Sequence, residues 1–218
     1  MDIILFTNLA QPAVQNGPVT SWFDLVTKGG LIMIPILLLS FVSVYIFIER
    51  YLYIRKASSI DSGLVPSIVR EIGDGHVDRA LIHARKDPSA AGRIMESGLA
   101  KFGKPARDIE SNLESATNLE ITKMEKNTGY LGIIAGIAPM LGFIGTISGV
   151  IKIFYSISLA DNISIGIISG GLYQKMICSG AGLIVGVISY AAYHILQMKI
   201  DRYTISLQES LLNFINRL

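Results

Sequence analysis

Three long stretches of this chain contain no Asp, Glu, Lys or Arg, and each is long enough to cross a membrane. They are residues 29–48 (20 residues), 127–151 (25 residues) and 176–198 (23 residues). About 20 apolar residues span the hydrocarbon core as a helix. Only helices and closed barrels satisfy the backbone there, and none of the stretches has the two-residue alternation of a barrel strand. The sequence therefore predicts an all-α membrane protein with three transmembrane helices.

Composition excludes several other classes of protein. Charged residues make up only 17% of the chain, against about 25% in ordinary soluble domains. The net charge of +2 is too small to indicate a nucleic-acid partner. The single cysteine, Cys178, lies inside the third stretch and is interpreted as a packing residue, so neither a disulfide framework nor a metal site is predicted. No cofactor is expected. The N-terminus lacks a basic segment, so we expect no cleaved signal peptide.

Basic residues near the stretches predict the orientation of the chain. Within about 20 residues of the stretches, eight Lys or Arg residues lie on one side and three on the other. The three are Lys28, Lys152 and Lys175. Basic residues accumulate on the cytoplasmic side, so the N-terminus is predicted to be periplasmic and the C-terminus cytoplasmic, as three spans require.

These observations divide the chain into seven parts. They are a periplasmic N-terminus with an interfacial amphipathic helix (1–29), the first span (30–48), a cytoplasmic helical domain (49–127), the second span (128–151), a periplasmic connection with helix extensions (152–175), the third span (176–198) and a cytoplasmic C-terminal helix (199–218). Around Trp22, an ordered tail with one anchoring aromatic ring is an equal alternative. Because residues 106–128 contain no Gly or Pro, one helix is expected to run from about 105 unbroken into the second span.

The second and third spans are rich in glycine at helical spacing. Pairs four residues apart occur at Gly132 and Gly136, Gly145 and Gly149, and Gly182 and Gly186. Small residues let membrane helices approach closely. The candidate packing residues are Gly132, Gly136, Pro139, Gly142, Gly145, Gly149, Gly182 and Gly186. Packing within one three-helix bundle is one explanation; association of several copies is favoured, because three helices are few for so much glycine.

Two hydroxyl residues, Thr146 and Ser179, lie deep in these glycine-rich spans. They either line a narrow polar pore or donate to the carbonyl four residues earlier on their own helix, as membrane hydroxyls often do. Spacing alone favours the second interpretation. Neither 128–151 nor 176–198 contains Asp or Glu, although proton paths usually need an intramembrane ionisable group. If the protein conducts protons, another chain should supply the carboxylate.

Several segments resemble one family of membrane proteins. Residues 138–149 (APMLGFIGTISG) and 170–186 (GGLYQKMICSGAGLIVG) are similar to the second and third spans of the ExbB/TolQ/MotA proton-channel family. Residues 29–35 (GGLIMIP) and 45–51 (YIFIERY) resemble its first span. The likeness covers most of the chain. Three spans with a long first loop fit ExbB and TolQ, whereas MotA-type subunits have four spans.

The resemblance implies a homo-pentamer around a central pore in the bacterial inner membrane. It further implies an ExbD-like single-span partner with an intramembrane Asp, and a TonB-like transducer that is driven by proton flow to energise outer-membrane transport. Thr146 and Ser179 match the family's pore threonines, with serine as a departure at 179. Gln174 stands where other members have Glu. Glu49 matches an acidic residue after the first span, and pairing with Arg50 or with the cytoplasmic helices is an alternative role.

Other functions remain as alternatives. A TolQ-like subunit of the cell envelope and a scaffold that holds a single-span partner without conducting ions both fit the sequence. A secondary transporter is disfavoured because three spans contain no inverted repeat. An enzyme is not predicted, since His76 and His83 lie in a charged helical region without a nucleophile or a metal-ligand spacing. The chemistry of the ion, H⁺ or Na⁺, is left open.

Overall fold

The computed structural model describes residues 30–59, 63–159 and 165–215, except for the side chains of 165–167 and Gln174. None of these described residues forms a β-strand. Seven α-helices follow one another along the described chain. They are α1 (Met33–Ala57), α2 (Leu64–Gly73), α3 (Val77–Lys86), α4 (Ala90–Leu99), α5 (Ala106–Glu125), α6 (Thr128–Ser158) and α7 (Ile165–Ile215). The predicted all-α fold is confirmed.

Three helical segments are long and apolar enough to cross a membrane. They are Met33–Ala57, Ala106–Ser158 (α5 and α6 together) and Ile168–Ile215. The helix α7 has 51 residues, which corresponds to about 75 Å at 1.5 Å per residue. This is more than twice the thickness of a hydrocarbon core of about 30 Å. The helix therefore both crosses the membrane and extends far beyond it.

The membrane-spanning parts of α6 and α7 form a tightly packed antiparallel pair, and α1 packs against both. Residues of α6 meet residues of α7 in reverse order: Gly149 lies against Lys175, Gly145 against Cys178, and Ala138 against Gly182. Many large apolar side chains on the other faces of these helices are exposed, among them Phe41, Phe143 and Val187. Such faces are suited to contact with lipid or with other membrane helices.

Outside the apolar stretches, α2 to α5 surround the end of α1 and the C-terminal part of α7. Their shared core contains Ile54, Ile68, Ala80, Ala84, Ile94, Met95, Leu99, Ile109, Leu113, Met124, Leu207, Leu211 and Phe214. The helices α3, α4 and α5 and the C-terminal part of α7 each contribute a buried apolar face to this core. Residues 49–59, 63–127 and 199–215 consequently lie together.

The expectation of an unbroken helix from about 105 into the second span is wrong. The helix α5 ends at Glu125, and α6 begins at Thr128. Asn127 has a left-handed backbone with φ of 66°, a conformation that asparagine tolerates better than most residues. The hydroxyl of Thr128 donates to the carbonyl oxygen of Glu125 at 2.7 Å. The hydroxyl therefore satisfies a carbonyl that the break leaves without a helical partner.

The expectation of a separate C-terminal helix is also wrong. Residues 199–215 continue α7 without interruption. No Gly or Pro follows Gly186 in the described part of this helix, so nothing in the backbone ends it where the charged residues begin. The expected interfacial helix near Trp22 lies outside the described residues.

The left-handed residue at the α5–α6 break gives a direct test of this geometry. Asn127→Gly should keep the stability of the protein, because glycine adopts positive φ readily. Asn127→Val should cost about 1–2 kcal/mol, the penalty for a left-handed conformation at an ordinary L-residue. The measurement is thermal unfolding of the purified protein in detergent, followed by circular dichroism.

A matched control is Asn118→Val, because Asn118 is an exposed asparagine inside the regular helix α5. Asn118→Val should change the thermal stability of the protein only slightly. Equal destabilisation by valine at 118 and at 127 would contradict a special backbone requirement at the break.

Candidate functional site

The helices α6 and α7 meet at Gly142 and Gly145. A Cβ atom on Gly142 would lie 3.0 Å from the Cα atom of Ser179 and 3.1 Å from its carbonyl oxygen. A Cβ atom on Gly145 would lie 2.9 Å from the Sγ atom of Cys178, which is fully buried. A methyl group at either position would therefore be tighter than ordinary van der Waals contact, against backbone at 142 and against the Cys178 side chain at 145. Glycine at 142 therefore allows the backbones of the two helices to touch beside Ser179.

The contact between α6 and α7, which we call the seam, continues along α7 at Gly182 and Gly186. A Cβ atom on Gly182 would lie 2.5 Å from the carbonyl oxygen of Ala138, and one on Gly186 would lie 2.5 Å from the Cγ atom of Pro139. The proline ring, in the middle of α6, thus fits against a glycine of the facing helix. Five of the candidate glycines (Gly142, Gly145, Gly149, Gly182 and Gly186) and Pro139 lie at this contact within one chain.

Gly132 and Gly136 are placed differently. A Cβ atom on Gly136 would have nothing within 4 Å, and one on Gly132 would meet only the edge of the Tyr193 ring at 4.0 Å. Gly136 is exposed on the described chain. These two glycines leave a smooth strip on α6 that another helix can approach.

The two candidate hydroxyl residues, Thr146 and Ser179, both contact Gly142. The Thr146 hydroxyl donates to the Gly142 carbonyl oxygen at 2.9 Å, and the backbone of Ser179 packs on the Cα side of the same glycine. Both side chains are half-buried. Thr146 therefore makes the hydrogen bond to the carbonyl four residues earlier that the sequence analysis gave as one of two possibilities. Its oxygen can still accept a hydrogen bond from another group. Ser179 makes no side-chain hydrogen bond to the described residues.

Lys175 is a residue of this site that the sequence analysis did not single out. Its aliphatic part covers Gly149, where no Cβ atom would fit, and its Nζ atom lies 3.9 Å from the position of a Cβ atom on Gly30. It is half-buried where α6, α7 and the start of α1 meet. It pairs with none of the carboxylates in the described residues. Lys175 precedes Ser179 by four residues, about 6 Å along the helix.

A second polar contact missed by the sequence analysis joins α1 to α7. The hydroxyl oxygens of Ser43 and Ser189 lie 2.7 Å apart, and both residues are buried. A hydroxyl pair inside apolar helices fixes their rotation relative to one another, because each serine would otherwise lack a partner. It could have been suspected from two serines in otherwise apolar faces, but their pairing depends on the packing of the helices.

Glu49 lies beside a cluster of charged residues at the other end of the apolar stretches. Its carboxylate contacts the Arg50 guanidinium, which is the pairing that the sequence analysis gave as an alternative role for Glu49. Arg50 is buried, donates to the Lys123 carbonyl oxygen at 3.3 Å and lies 5.1 Å from the centre of the Tyr53 ring. These contacts connect the end of α1 to α5.

Glu120 is the buried carboxylate of the same cluster. It accepts from Arg93 at 2.5 Å and from Lys123 at 2.7 Å. Burial raises the pKa of the Glu120 carboxyl, but the hydrogen bonds from Arg93 and Lys123 outweigh burial and hold that pKa below its ordinary value. The pair of cations therefore keeps Glu120 ionised and ties α4 to α5. The histidines His76 and His83 are exposed, and among the described residues no group of acidic, His and Cys side chains is arranged to hold a metal ion.

Loss of the Glu120 charge should destabilise the helical domain and change its response to acid. Glu120→Gln leaves Arg93 and Lys123 without their carboxylate, so a loss of about 1–3 kcal/mol in the free energy of unfolding is expected at neutral pH. Because the pKa is lowered on folding, the stabilisation is complete above the ordinary value of 4.5. It is lost as the pH falls through the lower folded-state value.

The measurement is chemical unfolding in detergent at neutral pH and at several values below 4.5. The difference between the wild type and Glu120→Gln should shrink in acid. Glu114→Gln, an exposed carboxylate on the same helix, is the control and should change neither quantity. If the difference in unfolding free energy between the wild type and Glu120→Gln stays constant down to the most acidic condition, then Glu120 is not an ionised, hydrogen-bonded carboxylate.

Comparison with known proteins gives one family and several relatives. Residues 86–209 match the model of the MotA/TolQ/ExbB proton channel family. A biopolymer transport protein ExbB homolog of Methanothermobacter thermautotrophicus is 27% identical over 84% of this chain and 67% of its own length. The biopolymer transport protein ExbB-like 1 of Synechocystis is 25% identical over 78% of this chain and 68% of its own. The Tol-Pal system protein TolQ of Haemophilus influenzae is 26% identical over 39% of this chain and 38% of its own.

Proposed function

The chain belongs to the MotA/TolQ/ExbB proton channel family, and we propose that it is the multi-span channel subunit of an ExbB-like machine in the bacterial inner membrane. In this proposal, proton flow through the subunit and an ExbD-like single-span partner drives a TonB-like transducer toward outer-membrane transport. The family match and the ExbB-like relatives over most of the chain support an ExbB/TolQ-type channel subunit rather than an enzyme.

The observation that carries the proposal is the placement of Thr146 and Ser179 at one seam between two uncharged spans. The Thr146 hydroxyl and the backbone of Ser179 both adjoin Gly142, where the helices touch. No Asp or Glu lies within 128–151 or 176–198, so these hydroxyls have no acid of their own span to hydrogen-bond. A partner helix that carries an intramembrane Asp would supply the ionisable group. The hydroxyls would then stabilise its charged form and hold water beside it.

The orientation belongs to the same proposal. We place residues 1–29 and 152–175 on the periplasmic side and residues 49–127 and 199–218 in the cytoplasm. The packing of α2 to α5 against the end of α7 supports a common side for the last two segments. The charge asymmetry supports the cytoplasm as that side. Assembly into a pentamer rests on the resemblance; the open strip at Gly132 and Gly136 offers a surface on which copies can associate.

A non-conducting scaffold is the second candidate function, and one observation favours it. The Thr146 hydroxyl already has an acceptor in the Gly142 carbonyl, and most of the glycine pairs serve contacts within the chain. On this view the hydroxyls only support helix packing, and removing them should leave proton movement unchanged.

Removal of the Thr146 hydroxyl separates the two functions. Thr146→Val keeps the shape of the side chain and should leave assembly intact. It should lower proton uptake at least about fivefold, because a buried carboxyl that loses a hydrogen-bond partner is destabilised by about 1–3 kcal/mol. Ser179→Ala should act in the same direction more mildly, and Ser179→Thr should be tolerated. The measurement is proton uptake by vesicles that contain the chain with and without its partner, together with complementation of a deletion strain.

Thr204→Val is the matched control, because Thr204 makes the same kind of bond to Ile200 at 2.9 Å and lies beyond the third span. Full uptake and growth by Thr146→Val at normal protein levels would refute the pore assignment and favour the scaffold.

The proposal also gives Lys175 a role as the counter-charge of the partner's carboxylate. An ammonium group without an anion at the edge of an apolar region is costly, so a partner that supplies an acid would gain from it. Lys175→Gln should weaken co-purification of the partner and Lys175→Glu should weaken it further, whereas Lys175→Arg should retain it.

Lys152→Gln is the control for charge alone, because Lys152 is an exposed cation of the same connecting region. If Lys175→Gln and Lys152→Gln retain equal amounts of partner, then Lys175 only extends its ammonium group toward the headgroups.

A further inference from the structure

A basic pocket lies between the end of α1 and the middle of α7, away from the candidate ion path. Its volume is about 320 Å³, and the residues that line it are Ile54, Arg55, Ser58, Lys199, Arg202, Tyr203 and Ser206. The lining contains three cationic side chains and two aliphatic hydroxyls, with no acidic side chain among its described residues. We call it the α1–α7 pocket.

The three cations of the α1–α7 pocket have no carboxylate partner in the described part of the chain. Three other basic residues of the helical domain do have one: Arg93 and Lys123 bind Glu120, and Arg85 binds Glu96. In the pocket, Lys199 instead lies 3.9 Å from the centre of the Tyr51 ring, a cation–π contact that leaves its N–H groups available. The pocket therefore presents hydrogen-bond donors and positive charge that the fold itself does not use.

Its depth corresponds to the headgroup layer of a bilayer. Lys199 follows directly after the third uncharged stretch, and Arg202 lies about 4.5 Å further along the helix. Arg55 follows the first uncharged stretch by seven residues, and its side chain can reach back toward the membrane. A headgroup layer extends about 5–8 Å beyond the hydrocarbon core on each side. The pocket opens at this level whichever face of the membrane it occupies.

Exposed apolar side chains adjoin the pocket on its membrane side. They are Leu52, three residues before Arg55, and Ile195 and Met198, each four residues before a pocket cation. Residues three or four apart share one face of a helix. A ligand bound here would thus have its anionic end among the cations and apolar surface next to it in the direction of the bilayer.

We propose that the α1–α7 pocket binds the phosphate of an anionic phospholipid headgroup, with the acyl chains along Leu52, Ile195 and Met198. Guanidinium and ammonium groups bind phosphate oxygens by charge-assisted hydrogen bonds, and serine hydroxyls add neutral donors. The apolar surface beside the cations favours a lipid over a soluble phosphate compound, which would leave that surface uncovered. The proposal does not depend on proton conduction, so the two can fail separately.

The test uses the full-length protein in phosphatidylcholine bilayers with spin-labelled phosphatidylglycerol or spin-labelled phosphatidylcholine as the probe. Electron paramagnetic resonance reports the fraction of each lipid that the protein immobilises. The wild type should prefer phosphatidylglycerol. Each of Arg55→Gln, Lys199→Gln and Arg202→Gln should lower the relative association about fivefold, since one basic residue near an anionic surface contributes about a factor of five. Arg55→Lys, which keeps the charge, should retain most of the preference.

A charge-matched control neutralises Lys101, Lys104 and Arg107 together. These cations are exposed and lie near the start of α5, about 30 Å of helix from the membrane end and beyond the screening length in salt. This triple variant should keep the preference for phosphatidylglycerol. Circular dichroism of every variant establishes that it is folded.

Three outcomes would overturn the proposal. A variant that combines Arg55→Gln, Lys199→Gln and Arg202→Gln could bind phosphatidylglycerol as well as the control triple variant does. Excess inorganic phosphate could displace the labelled lipid completely, which would indicate a site for a soluble phosphate compound. The pocket variants could instead change the oligomeric mass in detergent while lipid association stays the same, which would indicate a contact between copies of the chain.

Discussion

The contact between α6 and α7 at Gly142 determines where the polar groups of the membrane region lie. In lipid there is no hydrophobic force that draws apolar helices together, so close packing of small residues provides the association. At Gly142 and Gly182 the backbones themselves touch. The position of Ser179 beside Gly142 and that of Lys175 over Gly149 both follow from this spacing. A methyl group at 182 would lie 2.5 Å from the Ala138 carbonyl oxygen, so it would separate the helices and move both residues.

The helical domain is held by a different kind of interaction. Its core is apolar, but one buried carboxylate, Glu120, connects α4 to α5 through Arg93 and Lys123, and Arg50 extends the cluster to α1. Because these charges are paired, they serve the structure of the domain. Lys175 on one side of the spans and the three cations of the α1–α7 pocket on the other have no carboxylate partner among the described residues. At each of these two places, a molecule outside the chain can supply an anion to the unpaired cations.

Some parts of this arrangement follow from the sequence, and others do not. The uncharged stretches predict three spans, because about 20 apolar residues without a two-residue alternation can cross the hydrocarbon core only as a helix. The break was missed because only Lys126 and Asn127 leave the helical conformation there, and asparagine carries a weaker signal for a left-handed backbone than glycine. The continuity of α7 was missed because a change from apolar to charged residues marks a change of solvent, not the end of a helix.

By itself the sequence determined the number of spans, the membrane class and the candidate hydroxyls, because these depend on which residues follow one another along a helix. Only the tertiary structure decided which glycine meets which neighbour. It assigned Gly142, Gly145, Gly149, Gly182 and Gly186 to contacts inside the chain, left Gly136 open, paired Ser43 with Ser189 and gathered Arg55, Lys199 and Arg202 into one pocket. Such pairings depend on the rotation and displacement of whole helices relative to one another. The rotation and the displacement are set by packing between residues that are distant in sequence. The residue pattern along one helix therefore does not predict them.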